Sequence, residues 1–273
     1  MVKLLRTVLN LGLKAPVKVL HITDTHITES DREDDVRIQE LIEMRRMTFI
    51  EEGGYAPRKP QEYLEEALEL AEKENALPVL TGDIQDLNTS GNRKILQKIL
   101  SARDFLYTPG THEFQRSSCT PYCCPLEEPL GYYANTRNQL IKEFSPWAKW
   151  DFDNCILNGL NLITVDNSQD YFPEITFQRL KQEVEKGLPI LLFMHVPVTC
   201  PALLRGPYAE SSLTEEQFQI SMETLEYIRT NPLIKASFAG HLHCEKEEVL
   251  PSGHKIHVTP GTYAGICRMI EIR

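Results

Sequence analysis

The stretch Val17-Lys18-Val19-Leu20-His21-Ile22-Thr23 passes directly into Asp24-Thr25-His26. The first part is short, rich in β-branched residues and followed by a polar break, so it reads as a buried β-strand with chemistry at its carboxyl end. In extended backbone, residues two apart project to the same side. Asp24 and His26 would then offer a carboxylate oxygen and an imidazole nitrogen to one point, the convergence that metal ligands need. Alone, Asp-x-His also describes a polar turn after a strand, and the rest of the chain decides between the two.

The pattern repeats outward from there. An apolar run at 77–81 ends in Gly82-Asp83-Ile84-Gln85-Asp86, and another at 105–107 ends in Pro109-Gly110-Thr111-His112-Glu113. Residues 190–194 run into His195, and residues 236–239 into Gly240-His241-Leu242-His243. Between them lie helical patterns. Residues 36–51 form an imperfect amphipathic helix closed by Gly53-Gly54. Pro60 opens a second, in which Tyr63, Leu64, Ala67, Leu68 and Ala71 make one apolar stripe. Further helices are expected at 92–102, at 136–144, and at 176–186 with Gly187 as the stop. Another should begin at overlapping capping boxes on Ser212 and Thr214, with Glu215 and Gln217, and reach Arg229. Asn158-Gly159 between 150–157 and 160–165 is a hairpin signal, which brings in antiparallel pairing. Residues 1–13 read as a first strand, and 247–250, 255–259 and 266–272 as closing β-structure.

The absence of internal repeats and linkers supports one α/β domain over residues 1–273 with layered sheets. Residues 114–134, rich in Cys, Pro, Gly and Tyr without periodicity, read as an inserted loop near the strand ends. A formal charge of −10 and 25% charged residues argue against a nucleic-acid or anionic-membrane surface. An anionic substrate would have to be drawn by something local, such as bound divalent metal. No stretch reaches the roughly 18 apolar residues of a membrane span. The seven cysteines are odd in number and scattered, which fits a reducing, cytoplasmic setting better than a disulfide framework. Cys119, Cys123 and Cys124 read as free thiols in a loop or as part of a metal knuckle.

Asp24, His26, Asp83, His112, His195, His241 and His243 all follow expected strands. Imidazole and carboxylate without thiolate suit Mn, Fe, Zn, Co or Ni. Seven such donors are too many for one tetrahedral ion, so two metals sharing a carboxylate is the economical arrangement.

These motifs, in this order, resemble those of the calcineurin-like metallophosphoesterases: Asp-x-His, Gly-Asp-x-x-Asp, Gly-Asn-His-Glu/Asp, a lone His after a strand, and Gly-His-x-His. The resemblance implies a layered β-sandwich of mixed sheets flanked by helices. It implies one metal held by Asp24, His26 and His243, another by His195 and His241, and Asp83 bridging the two. It further implies hydrolysis of a phosphomonoester or phosphodiester by a hydroxide shared between the metals, with His112, oriented by Asp86, serving the departing oxygen. Asp86 also fits a helix N-cap, and Glu113 reads as structural. One position departs: Thr111 stands where the family has Asn, and it is either a weak ligand of the second metal or a turn residue. The family's substrates are varied, so groups that choose among them belong to loops: residues 114–134, residues 197–213 with Arg205 and Tyr208, and Thr262-Tyr263. The alternative is a metal-binding scaffold of the same fold acting in protein contacts with little catalysis.

Overall fold

In the computed structural model, which describes residues 1–51, 58–114, 152–201, 203–204 and 213–273, the chain opens with β1 (Lys3–Leu9) and β2 (Val17–Ile22). Helices α1 (Val36–Glu51) and α2 (Pro60–Glu74) follow, then β3 (Leu77–Leu80), α3 (Ser90–Leu100) and β4 (Leu106–Tyr107). The second half holds β5 (Phe152–Leu157), β6 (Leu160–Val165), α4 (Glu174–Glu185), β7 (Ile190–Phe193) and α5 (Glu215–Thr230). It closes with β8 (Ile234–Ala239), β9 (Lys246–Val249), β10 (Lys255–Val258) and β11 (Ile266–Ile272). Short 3-10 turns sit at His112–Phe114 and Thr262–Ala264.

The strands form two mixed sheets, in the orders β1-β11-β2-β3-β4 and β5-β6-β7-β8-β10-β9. β2, β3 and β4 run parallel, as do β6, β7 and β8, so their carboxyl ends can gather at one edge. Val17 and Val19 of β2 face the second sheet, where Leu162, Leu191, Phe193 and Phe238 meet them. The intervening Leu20 and Ile22 face the other way and pack on Leu64, Ala67, Leu68 and Ala71 of α2. Each of these Val, Leu, Ile and Phe side chains, fully removed from water, is worth about 1.5–3 kcal/mol. On the far face of the second sheet, Ile163, Ile190 and Leu192 pack with Leu180 of α4 and with Leu225 and Ile228 of α5. The result is two sheets packed face to face with helices on both outer sides, as expected.

Local signals translate directly. Asn158 (φ 50°) and Gly159 (φ 84°) take the two left-handed positions of the hairpin turn. Thr214 and Gln217 form the reciprocal capping box. α3 starts two residues before the expected Asn92, because the Thr89 hydroxyl caps it by accepting the Asn92 N–H at 3.0 Å. Gly53-Gly54, the helix at 136–144, the cysteines at 119–124, Arg205, Tyr208, Ser212 and the insert beyond Phe114 lie outside the described residues.

Candidate metal centre

The ligand-type residues do meet at one edge of the sandwich, but by a different backbone from the extended one expected. Asp24, His26, Asp83, His241 and His243 all have φ between 48° and 67°, the left-handed region. Such conformations cost of order 1–3 kcal/mol each and persist only where surroundings impose them. Here non-local bonds do so: Asp24 N–H donates to Gly82 O at 3.0 Å and His26 N–H to Asp83 O at 2.8 Å. The glycines are required by closeness. A Cβ on Gly240 would lie 2.0 Å from Asp24 Oδ2, and one on Gly110 would lie 2.2 Å from Asp83 Oδ1.

Within this cradle, Asp24, His26 and His243 form one group of donors whose atoms lie within 4.8 Å of one another, and Asp24, Asp83 and His195 form a second. His243 Nε2 lies 3.3 Å from Asp24 Oδ1, and His195 Nε2 lies 3.1 Å from Asp83 Oδ2. Asp24 belongs to both groups, and Asp83 Oδ2, at 3.9 Å from His26 Nε2, also reaches from the second group to the first. His241 joins through its ring, with Nδ1 at 3.3 Å from His195 Nε2, and through its N–H, which donates to Asp24. His195 is held by its other nitrogen, Nδ1 donating to Thr81 O at 2.8 Å. Buried His21 supports Thr81 in turn, at 2.7 Å from its hydroxyl. Burial and Arg268 push His21 down to about 3, so it is neutral.

Asp86 is no helix cap. Its Oδ1 lies 3.0 Å from His112 Nδ1 and 3.3 Å from His26 Nδ1, a third group of donors. His112 thereby turns Nε2 toward the centre, 4.0 Å from Asp83 Oδ2. Arg45 of α1, which the motif reading did not single out, forks both oxygens of Asp86 at 2.7 Å. One turn on, the buried Phe49 ring packs 4.9 Å from the His26 ring and 5.2 Å from that of Tyr263. The Tyr263 hydroxyl reaches His243 Nδ1 at 3.3 Å. The only sequence signal for Arg45 and Phe49 is that they share a helix face at i, i+4.

Glu113 is structural, as expected: its buried carboxylate accepts the N–H groups of Asp83 (2.9 Å), Ile84 (2.6 Å) and Gly110 (2.7 Å), closing the loop beneath Asp83. Burial and Asp83 raise it to about 7. Thr111 donates its hydroxyl to Ser168 O at 3.3 Å.

The charges interlock. Burial opposes ionisation of Asp83, yet His195, His112 and His26 hold its carboxyl well below the ordinary range. Burial likewise opposes the charge on Asp86, which Arg45, His112 and His26 keep ionised. Against its own burial, Asp83 and Asp86 push His112 up to about 9, and Asp83 and Asp24 push His195 up to about 10. Burial and then His195 lower His241 to about 4. Protons on imidazoles thus balance the carboxylates. The residues suit divalent cations. His26 Nε2 faces His243 Nε2 at 3.1 Å, and His195 Nε2 faces His241 Nδ1 at 3.3 Å. A cation taking a lone pair from each ring would satisfy both contacts at once, among oxygen and nitrogen donors of the right kind.

The chain belongs to the calcineurin-like phosphoesterase family, whose sequence model matches residues 17–245. No curated protein matches the sequence. Among solved structures, a dimetal phosphatase from Danio rerio is similar at 15% identity and TM-score 0.49, over 91% of this chain and 88% of that one. A putative 5′-nucleotidase from Staphylococcus aureus is similar at 9% identity and TM-score 0.47; 90% of this chain spans only 49% of it. A calcineurin-like phosphoesterase from Bacillus subtilis is similar at 11% identity and TM-score 0.44, over 91% and 82% of the two chains. Among the described residues, no helix is long and apolar enough to cross a membrane.

Proposed function

We propose that this member of the family is a two-metal phosphoesterase acting on a phosphomonoester or phosphodiester of a small molecule. One observation carries the reading: His112, held through Nδ1 at Asp86, turns Nε2 to within 4.0 Å of the Asp83 oxygen that reaches toward both His195 and His26. A proton donor held at Asp86 therefore faces the place where a phosphate would meet cations. Asp24, His26 and His243 would hold one ion and His195 and His241 the other, with Asp83 shared between them. Divalent metal of the Mn, Fe, Zn, Co or Ni kind supplies charge that binds phosphate and lowers the pKa of water by many units. The ionised carboxylates of Asp24 and Asp83 orient that charge, and His112 gives the proton at Nε2 to the departing oxygen while its Nδ1–H stays on Asp86. The overall charge of −10 repels an anion, so local charge such as this centre must attract it. The unpaired thiols of Cys155, Cys200, Cys244 and Cys267 favour a reducing, cytoplasmic setting.

The test is turnover of p-nitrophenyl phosphate and bis-p-nitrophenyl phosphate by the purified protein. Activity is expected to vanish with chelator and to return with Mn²⁺ or a related ion. Equal activity of chelated and metal-loaded protein would overturn the reading.

A further inference from the structure

Five motifs account for the metal ligands and for His112, but not for what holds Asp86. That carboxylate is fully buried and has two histidines on one oxygen: Oδ1 is 3.0 Å from His112 Nδ1 and 3.3 Å from His26 Nδ1. Oδ1 thus stands against Nδ1 of a proposed metal ligand and of the proposed proton donor at once, with the Asp86 main-chain oxygen also 3.0 Å from His112 Nδ1, and Nε2 of each ring faces the centre. A carboxylate free to rotate about its last bond could favour one ring and release the other. Arg45 prevents this by binding side-on, Nε to Oδ2 and Nη2 to Oδ1, both at 2.7 Å. Two parallel charge-assisted bonds fix the plane of a carboxylate where a single donor would fix only one oxygen. The guanidinium is itself held over the Phe49 ring at 5.2 Å, and Phe49 packs on the His26 ring. Helix α1 thus braces both the carboxylate and the ligand it serves with two residues one turn apart. The Arg45 side chain is still 21% exposed, so solvent reaches it.

We infer that Arg45 is a positioning residue for the reaction: through its two-pronged hold on Asp86 it couples the orientation of His26 in the metal site to that of His112 at the leaving group. The inference rests on the two-metal reading above. Outer contacts of this kind typically change metal affinity or activity by about 10- to 100-fold when removed.

The experiment compares wild type with Arg45→Met and Arg45→Lys in three measurements: Mn²⁺ affinity by titration, turnover of phenyl phosphate, and turnover of p-nitrophenyl phosphate. Arg45→Met is expected to bind Mn²⁺ more weakly and to lose about 10- to 100-fold in kcat on phenyl phosphate, with a smaller loss on the activated ester and little change in KM. Added guanidinium ion should restore part of the kcat. Arg45→Lys keeps the charge but not the fork, and should stay impaired. If folded Arg45→Met shows wild-type Mn²⁺ affinity and wild-type leaving-group dependence, the inference is overturned while the hydrolase reading stands. Should that variant fail to fold, the same two wild-type results with Arg45→Lys overturn it. If the wild type hydrolyses neither ester with metal, the reading of function has failed instead, and Mn²⁺ affinity alone then decides whether Arg45 braces the site.

Discussion

Thr111 donates its hydroxyl to the carbonyl oxygen of Ser168 at 3.3 Å. The motif that this stretch resembles has Asn at that position, where an amide oxygen would reach one covalent bond further, about 1.5 Å. Metal–oxygen bonds of about 2.0–2.2 Å do not stretch to cover such a gap. In the proposed two-metal site the ions should therefore bind unequally, more tightly at Asp24, His26 and His243 than at His195 and His241. Thr111→Asn is expected to strengthen the weaker site by about 10- to 100-fold, the scale on which changes around a metal act. Metal titration with anomalous scattering checks it. Equal wild-type occupancies and no gain from Asn would sink the idea.

His112→Ala removes the proposed proton donor and none of the proposed ligands. It should keep its metal and lose roughly 10²- to 10⁴-fold in turnover on an ester with a poor leaving group. An activated nitrophenolate leaves without a proton and should suffer less. Equal losses on both esters count against the donor role, and loss of metal would make His112 a ligand.

If His195 is a ligand as proposed, proton and metal compete for its ring. In the metal-free protein Asp83 and Asp24 hold its pKa near 10, against burial, so below that pH a cation must expel a proton to bind there. Affinity at the His195 site should then rise by about tenfold per pH unit until pH approaches 10 and level off beyond it. The sign for stability is the reverse: the raised pKa stabilises the metal-free fold fully below 6.5, and that contribution fades as pH rises through about 10. Mn²⁺ titrations at several pH values, with chemical denaturation of the apoprotein alongside, check both slopes. An affinity independent of pH would show that His195 is not a ligand.

Glu113→Ala would leave the N–H groups of Asp83, Ile84 and Gly110 without their acceptor. Each buried donor left unsatisfied costs about 1–3 kcal/mol, less whatever entering water recovers. The expected result is a large drop in the denaturation midpoint together with weaker metal binding, since Asp83 loses its backing. Glu113→Gln keeps one acceptor oxygen and should fall between. A midpoint unchanged in Glu113→Ala would show that the loop does not depend on this carboxylate.

Much of this protein was settled by local sequence. Strand β2, the α2 stripe from Tyr63 to Ala71, the Asn158-Gly159 turn and the Thr214 cap are all readable because each depends on neighbours a few residues away, through periodicity, left-handed tolerance or capping. The set of candidate ligands was also legible, since each stands at the carboxyl end of an apolar run. Tertiary structure alone decided how they converge. Asp24 and His26 come together through left-handed backbone held by Gly82 O and Asp83 O, not through the two-residue alternation of a strand. It alone placed Arg45 on Asp86, 41 residues away in the chain, and Phe49 against His26. It also turned Thr111 to Ser168, 57 residues away. The physical reason is the same in each case: a strained φ, or an ion pair between a helix and a loop, is stabilised by partners distant in sequence, and the residues themselves carry no local pattern that names those partners.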